Sequence, residues 1–487
     1  MRCAATVAVT SSKGVRVAMV TRLSASDAAF FGLENSSTPM YVGSLSIVRK
    51  PRGGLGYETL LATVEQRLPQ IPRYRQKVRA VPFGLARPVW IDDDDFDITY
   101  HVRRSALPSP GSDAQLHDLI ARIGSRPLDA SRPLWEMYLI EGLARNRIAI
   151  YTKSHQALVN GMSALEIGHV IADRTQKPPE FGEDIWIPAR EPGGGQLLAG
   201  AVGEWITRPT AQAAALRSSV QETITNVGAL VDIGRRVAEV ARTVARGTAP
   251  SSPLNTTVSR NRRLAVAAHA LEDYRDLRAR YDCDVNDVVL AVVAGALRNW
   301  LLSRGEPVNA TSTVRAMAPN SVYPDGEIDS DGPGQAISEV SPFLVDLPVG
   351  EGNAVVRLSQ IAHATESYSS AASLVDARTI VTLSGFAPPT LHAMGIRVAT
   401  SFSARQFNLL ITNVPGAQRQ MYIAGAKLLE TYAVPPLLAN QVLAIAVTSY
   451  NGMLYFGINA DRDAMSDVDV LPLLLRESLD ELLEAGR

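Results

Sequence analysis

The sequence predicts a layered α/β protein of two domains joined by a helical linker. Its 487 residues exceed what one ordinary hydrophobic core organises. Short β-branched runs alternate with helical periodicity in both halves, the pattern of layered α/β units. Between the halves the texture changes to Pro and Gly punctuation and then to an Ala/Val/Arg-rich stretch. The expected division is 1–21 as a disordered extension, 22–180 as the N-terminal domain, 181–259 as linker and 260–487 as the C-terminal domain. Met19 is an alternative start to Met1.

The elements follow in chain order. Leu23 to Asp27 opens a short helix, with Ser24 or Ser26 as N-cap. Met40 to Val48 alternates as a strand, and Tyr57 to Leu68 is an amphipathic helix closed by Pro69 and Pro72. Asp92 to Asp95 reads as a solvated acidic loop, since no other ligand type stands near enough for a metal. Ala114 to Ser125 is helical, and Trp135 to Glu141 is a strand. Pro178, Pro179, Pro188, Pro192 and Gly193 to Gly195 mark the linker, with a long helical stretch from Ala211 to Gly247. That stretch packs on the domains or lies on a membrane surface, although Glu222, Asp232 and Glu239 dilute its basic face. Asn286-Asp287 caps an apolar helix to about Leu301. Phe407 to Val414 is a strand, Val442 to Ser449 and Met453 to Ala460 form a hairpin over Tyr450-Asn451-Gly452, and Val468 to Ala485 is a terminal helix.

Composition narrows the function classes. The 48 basic and 49 acidic residues balance, so no global field favours nucleic acid. Cys3 and Cys283 support neither a disulfide framework nor a zinc site, and a reducing compartment fits best. The seven histidines are His101, His117, His155, His169, His269, His363 and His392, and no pair has metal-ligand spacing. The apolar run from Val288 to Leu297 is 10 residues, short of the roughly 20 that cross a bilayer.

The most informative segment is Lys153-Ser-His-Gln-Ala-Leu-Val-Asn-Gly161. Arg147 to Thr152 before it is β-branched and aromatic, hence a strand. After it, Gly161 permits a tight turn, and from Met162 the spacing of Leu165, Ile167, Val170 and Ile171 suits a buried helix. His155 thus stands at a strand-to-helix junction, where a side chain can face a cleft. Gly161-Met-Ser163-Ala-Leu165 approaches a nucleophile elbow but lacks the second glycine, and Ser163 more naturally begins the helix.

Several separated segments carry a family resemblance: Leu23 to Asp27, Pro127 to Glu136 (Pro-Leu-Asp-Ala-Ser-Arg-Pro-Leu-Trp-Glu), Val285 to Leu290, Thr412 to Gly416, and Phe456 to Arg462. In order and spacing the chain resembles the bacterial wax ester synthase/acyl-CoA:diacylglycerol acyltransferases, in particular their actinobacterial branch, from about Leu23 to the C-terminus. The resemblance implies two chloramphenicol-acetyltransferase-like domains with a substrate channel between them. It implies a long-chain acyl-CoA as co-substrate, diacylglycerol or a fatty alcohol as acceptor, and no metal or prosthetic group. A cytoplasmic protein, peripheral at a membrane or lipid droplet, follows from a lipid acceptor.

The family signature is His-His-x-x-x-Asp-Gly. Registered on Gly161, its first His is His155, its general-base His is Gln156 and its Asp is Asn160. Acyl transfer to an alcohol needs the hydroxyl proton removed, which an imidazole does well near neutral pH. A carboxamide has no useful basicity. Asn160 keeps the shape of the motif Asp, whose role is structural, without its charge. Three readings of the pair stay open: His155 serves as base, His155 is scaffold in a catalytically poor site, or Gln156 binds a different substrate. Three activities follow: an O-acyltransferase of reduced activity, an inactive homologue that binds acyl-CoA or lipid, and a condensation-type transfer from a carrier protein.

Overall fold

The computed structural model describes residues 21–159 apart from 25, 26, 29, 32, 33, 52 and 54, then 167–177, 179, 186–207, 249–319, 342–370, 406–414 and 416–486. The N-terminal half opens with β1 (Thr21–Arg22), β2 (Tyr41–Arg49) and α1 (Tyr57–Arg67). It continues through β3 (Gln76–Arg79), β4 (Val89–Asp92), α2 (Ile98–His101), β5 (Val102–Ala106) and α3 (Asp113–Gly124). Next come β6 (Trp135–Leu143), β7 (Arg147–His155), α4 (Gln156–Val159), α5 (Ile167–Val170), β8 (Ala172–Asp173) and α6 (Gly194–Thr207). The C-terminal half has β9 (Arg262–Ala270), α7 (Leu271–Tyr281), α8 (Val285–Ser303), β10 (Val314–Pro319), β11 (Pro342–Leu347) and α9 (Ala354–Ser370). It ends with β12 (Leu409–Val414), β13 (Tyr422–Ile423), β14 (Ala426–Val434), β15 (Leu443–Tyr450), β16 (Met453–Asp461) and α10 (Leu471–Ala485).

Two large mixed sheets organise these elements. The first runs β5-β6-β7-β2-β14-β13-β8, and the second runs β11-β10-β12-β15-β16-β9. The short β1-β4-β3 sheet stands beside them, so Thr21 pairs with Trp90 instead of ending a loose extension. The first sheet is not built by one half alone. β14 pairs antiparallel with β2 from Leu428↔Val48 to Val434↔Gly43, and β13 joins β8. The sheet core accordingly takes Ile423, Leu428, Tyr432 and Val434 from the C-terminal half.

Most sequence expectations that fall on the described residues hold, and three are corrected. The cap of α8 is Asp284, two residues before Asn286, and Asp287 closes a capping box with it. Three near-equivalent cap residues in four made the choice locally ambiguous. α8 itself has the length and hydropathy of a membrane span, contrary to the 10-residue run, but 78% of its most apolar window is buried in the core. The acidic loop is only partly solvated: Asp93 is buried against Lys77 at 2.9 Å, and Asp92 accepts from Gln76 and Ala189. Of the helix expected from Met162 to Ile171, the described residues show its end, α5 at Ile167–Val170, and 162–166 lie outside them. Asn160, Gly161, Ser163 and the stretch 211–247 lie outside the described residues.

Local chemistry explains the elements that hold. Ser24 Oγ accepts the Asp27 N–H at 3.0 Å, the cap expected of it. The β15–β16 hairpin turns on Asn451-Gly452, both at positive φ (47° and 81°), which an Asn-Gly turn tolerates. Gly457 in β16 is needed for a different reason. A Cβ there would lie 1.8 Å from the Ala433 carbonyl oxygen of β14, so the two sheets meet where no side chain fits. Gly457→Ala should lower stability by about 1–3 kcal/mol, the cost of overpacking. Gly53, which faces open space, supplies the control: Gly53→Ala should leave the calorimetric melting temperature unchanged, and equal melting for both variants would refute the close approach.

Candidate active site at the end of β7

All nine residues of β7 are buried, and the strand is central, between β6 and β2. Its register sets Tyr41 opposite His155 and Gly43 opposite Lys153. Three main-chain and ring contacts then shape the exit from the strand. The His155 N–H donates to Leu134 O at 3.0 Å, and the Gln156 N–H donates to Met40 O at 2.9 Å. The Ala157 N–H donates to His155 Nδ1 at 3.1 Å. Gln156 starts α4 and is half-buried.

His155 is 1% exposed, and Phe31 stacks on its ring at 4.4 Å. Because Nδ1 accepts a backbone N–H, the neutral ring carries its proton on Nε2. Nε2 faces Glu34 Oε2 at 3.5 Å. Nδ1 therefore offers no free lone pair, and the buried Nε2 makes no hydrogen bond among the described residues. Glu34 was not singled out by sequence reading; its side chain is 28% exposed and follows the Phe30-Phe31 turn.

Lys153, one pleat earlier on the same face, is fully buried. Its amine donates to the carbonyls of Ile123 and Arg126 at the end of α3 and lies 3.9 Å from Glu136 and 4.4 Å above the Tyr41 ring. Burial pushes its pKa down to about 8, against the pull of Glu136. Glu136 is itself occupied by Arg103 at 3.2 Å and by the Tyr138 hydroxyl at 2.8 Å.

The other segments that carry the resemblance are tied by their own contacts. Trp135 is buried, donates from its indole to Tyr74 O at 2.8 Å, and stacks on His101 at 4.6 Å. Asp129 holds Ser131 through both N–H and hydroxyl. In the second half, Asn413 donates to Asn286 at 3.3 Å, both buried. Asp461 and Arg262 are buried 3.8 Å apart, and the Arg262 guanidinium crosses to Ser37 O in the loop between Glu34 and β2. A cavity of about 1000 Å³ opens at the start of α8, lined by Arg278, Cys283, Asn286, Asp287 and His363; none of 153–159 lines it. Among the described residues no group of three His, Cys, Asp or Glu could hold a metal.

A family model of the wax ester synthase/diacylglycerol acyltransferase catalytic domain matches residues 23–289, and that of the family's C-terminal domain matches 339–483. The chain belongs to this wax ester synthase/diacylglycerol acyltransferase family. A probable diacylglycerol O-acyltransferase, Tgs3 of Mycobacterium tuberculosis H37Rv, is 72% identical over 266 residues, 55% of this chain and 98% of that protein. A putative diacylglycerol O-acyltransferase of M. tuberculosis CDC 1551 is 32% identical over 96% of this chain and 91% of its own. Among solved structures, the wax ester synthase/diacylglycerol acyltransferase of Marinobacter aquaeolei VT8 superposes with a TM-score of 0.67 at 26% identity, covering 96% of this chain and 99% of that one. The starter condensation domain of rhizomide synthetase shares the fold at 13% identity, 96% and 95% coverage and a TM-score of 0.55. The architecture is thus the two-domain, chloramphenicol-acetyltransferase-like one of both groups.

Two buried histidines outside the motif favour the neutral form. Burial pushes the His101 and His269 rings down to about 4. Above about pH 6.5 folded and unfolded rings are both neutral. Between 6.5 and 4 the unfolded rings take up protons that the folded ones refuse, so stability falls with pH, by about 3 kcal/mol per ring over the whole window. His101→Phe should flatten the dependence of the urea midpoint on pH between 6.5 and 4. An unchanged slope would show that His101 protonates freely in the folded protein.

Proposed function

We propose that this chain is an acyl-CoA-dependent O-acyltransferase that esterifies diacylglycerol or a fatty alcohol with a long-chain acyl group, at reduced rate. The family match across both halves of the chain carries the reading. In the reaction the acceptor oxygen adds to the thioester carbonyl carbon. The new C–O bond forms, the C–S bond breaks, and the hydroxyl proton ends on the coenzyme A sulfur. No metal or prosthetic group enters this balance; acyl-CoA is a co-substrate. A cytoplasmic protein that works at a membrane or lipid-droplet surface fits a lipid acceptor.

The reduced rate follows from Gln156 at the family's base position. Loss of a positioned base typically costs about 10²–10⁴-fold, while positioning and stabilisation of the oxyanion continue to act. Asn160 and Gly161 stand at the motif's Asp and Gly positions in this reading. Gln156 also favours a second reading, in which the chain binds acyl-CoA without turning it over.

Purified protein with palmitoyl-CoA and diolein separates the two. The acyltransferase reading expects triacylglycerol above background, a loss in His155→Ala, and a gain of about 10-fold or more in Gln156→His. Background-level product in all three proteins, with palmitoyl-CoA still raising the melting temperature by mass action, would leave the binder reading standing alone.

A further inference from the structure

The acyltransferase reading leaves a chemical gap, because a proton must leave the acceptor hydroxyl and the family's base is Gln156. His155 does not fill the gap as placed. Its Nδ1 is occupied by the Ala157 N–H at 3.1 Å, and its Nε2–H faces Glu34 at 3.5 Å. Moving the proton to Nδ1 would break the contact that shapes the start of α4. The ring is also 1% exposed and covered by Phe31.

Two carboxylates approach this end of β7, Glu136 and Glu34. Glu136 is 8% exposed and committed to Arg103, Lys153 and Tyr138. Glu34 is 28% exposed and lies 3.5 Å from His155 Nε2. One of its oxygens faces the imidazole, and a carboxylate accepts several hydrogen bonds at once. The loop that carries it is pinned from three sides. Asn35 Oδ1 accepts the Ser37 and Thr38 N–H groups at 2.8 and 3.0 Å, Met40 O holds the Gln156 N–H at 2.9 Å, and Arg262 holds Ser37 O. The loop that follows Glu34 is thus fixed beside the imidazole, with the Glu34 carboxylate where a substrate can reach it.

We propose that Glu34 is the proton acceptor of this site and that His155 is its positioning residue. The assignment rests on the acyltransferase reading. The acceptor hydroxyl gives its proton to a Glu34 oxygen as its own oxygen adds to the thioester carbonyl. When the tetrahedral intermediate collapses, the C–S bond breaks and the thiolate takes that proton back from the Glu34 carboxyl. Ester, coenzyme A thiol and the starting carboxylate result. Carboxylates are weaker bases than imidazole, which is consistent with a slow enzyme.

The test measures kcat and KM with palmitoyl-CoA and diolein for wild type, Glu34→Gln, Glu34→Asp, Glu34→Ala and His155→Ala, with melting temperatures alongside. Glu34→Gln should lower kcat about 10²-fold with KM for palmitoyl-CoA unchanged. Glu34→Asp should keep part of the activity, and His155→Ala should lose less than Glu34→Gln. Added sodium formate should restore part of the Glu34→Ala rate, where sodium chloride at equal ionic strength does not, because formate supplies the missing base. Glu34→Gln turning over like an active wild type overturns the assignment and leaves the acyltransferase reading intact. Loss in every Glu34 variant without formate rescue assigns Glu34 to structure and also overturns it. A wild type that makes no product removes the acyltransferase reading itself, and the assignment with it.

Discussion

Strand β2 is hydrogen-bonded on both edges, to β7 on one side and to β14 on the other, and the rest of the site depends on that double pairing. The β7 edge sets Tyr41 opposite His155. A slip of one residue would turn His155 and Lys153 to the opposite face. Such a slip is prevented because β7 is buried along its whole length, so both faces are specified. The β14 edge brings the C-terminal half into the same sheet. A chain cut between the halves would therefore leave β2 with a raw edge and an incomplete core, a recognised aggregation hazard.

The polar groups under this sheet are arranged by the same constraint. Lys153 is carried into the interior by the pleat, where an ammonium is expensive to desolvate. Its cost is offset because α3 ends there: the Ile123 and Arg126 carbonyls are acceptors near a helix terminus that need donors. Glu136, from the neighbouring β6, adds the opposite charge at 3.9 Å. That network consumes the groups that enter it. His155, one pleat further along, meets instead Phe31, Glu34 and the main chain of Leu134 and Ala157. The difference between a buried structural amine and a half-open carboxylate–imidazole pair is thus a matter of two residues along one strand.

Much of this was legible in the sequence, because the responsible signals are local. The β-branched run into His155, the Asn451-Gly452 turn and the apolar period of α8 each need only neighbours to be read. The pairing of β14 with β2 has no such signal, since Ala426 to Val434 reads as an ordinary strand and its partner lies hundreds of residues away. The same holds for Glu34. Its letter stands in an unremarkable polar loop, and only the register of Tyr41 with His155 brings it to the imidazole. The cap of α8 failed for the opposite reason: Asp284, Asn286 and Asp287 all suit an N-cap, and composition cannot say at which of them the backbone turns.

The degenerate motif can persist in a well-formed fold because the loop is tied by atoms that every residue has. The N–H groups of His155, Gln156 and Ala157 make the three contacts that shape the exit from β7, and one of them ends on the His155 ring. None requires an imidazole at position 156. A glutamine at position 156 therefore costs the exit from β7 no structural bond. Position 155 stands differently, because its ring receives the Ala157 N–H and reaches Glu34. Loss of that ring would unpair a buried amide, at a cost of about 1–3 kcal/mol, and would free the carboxylate together with it. At the exit from β7 the architecture thus uses the side chain of residue 155 and only the main chain of residue 156.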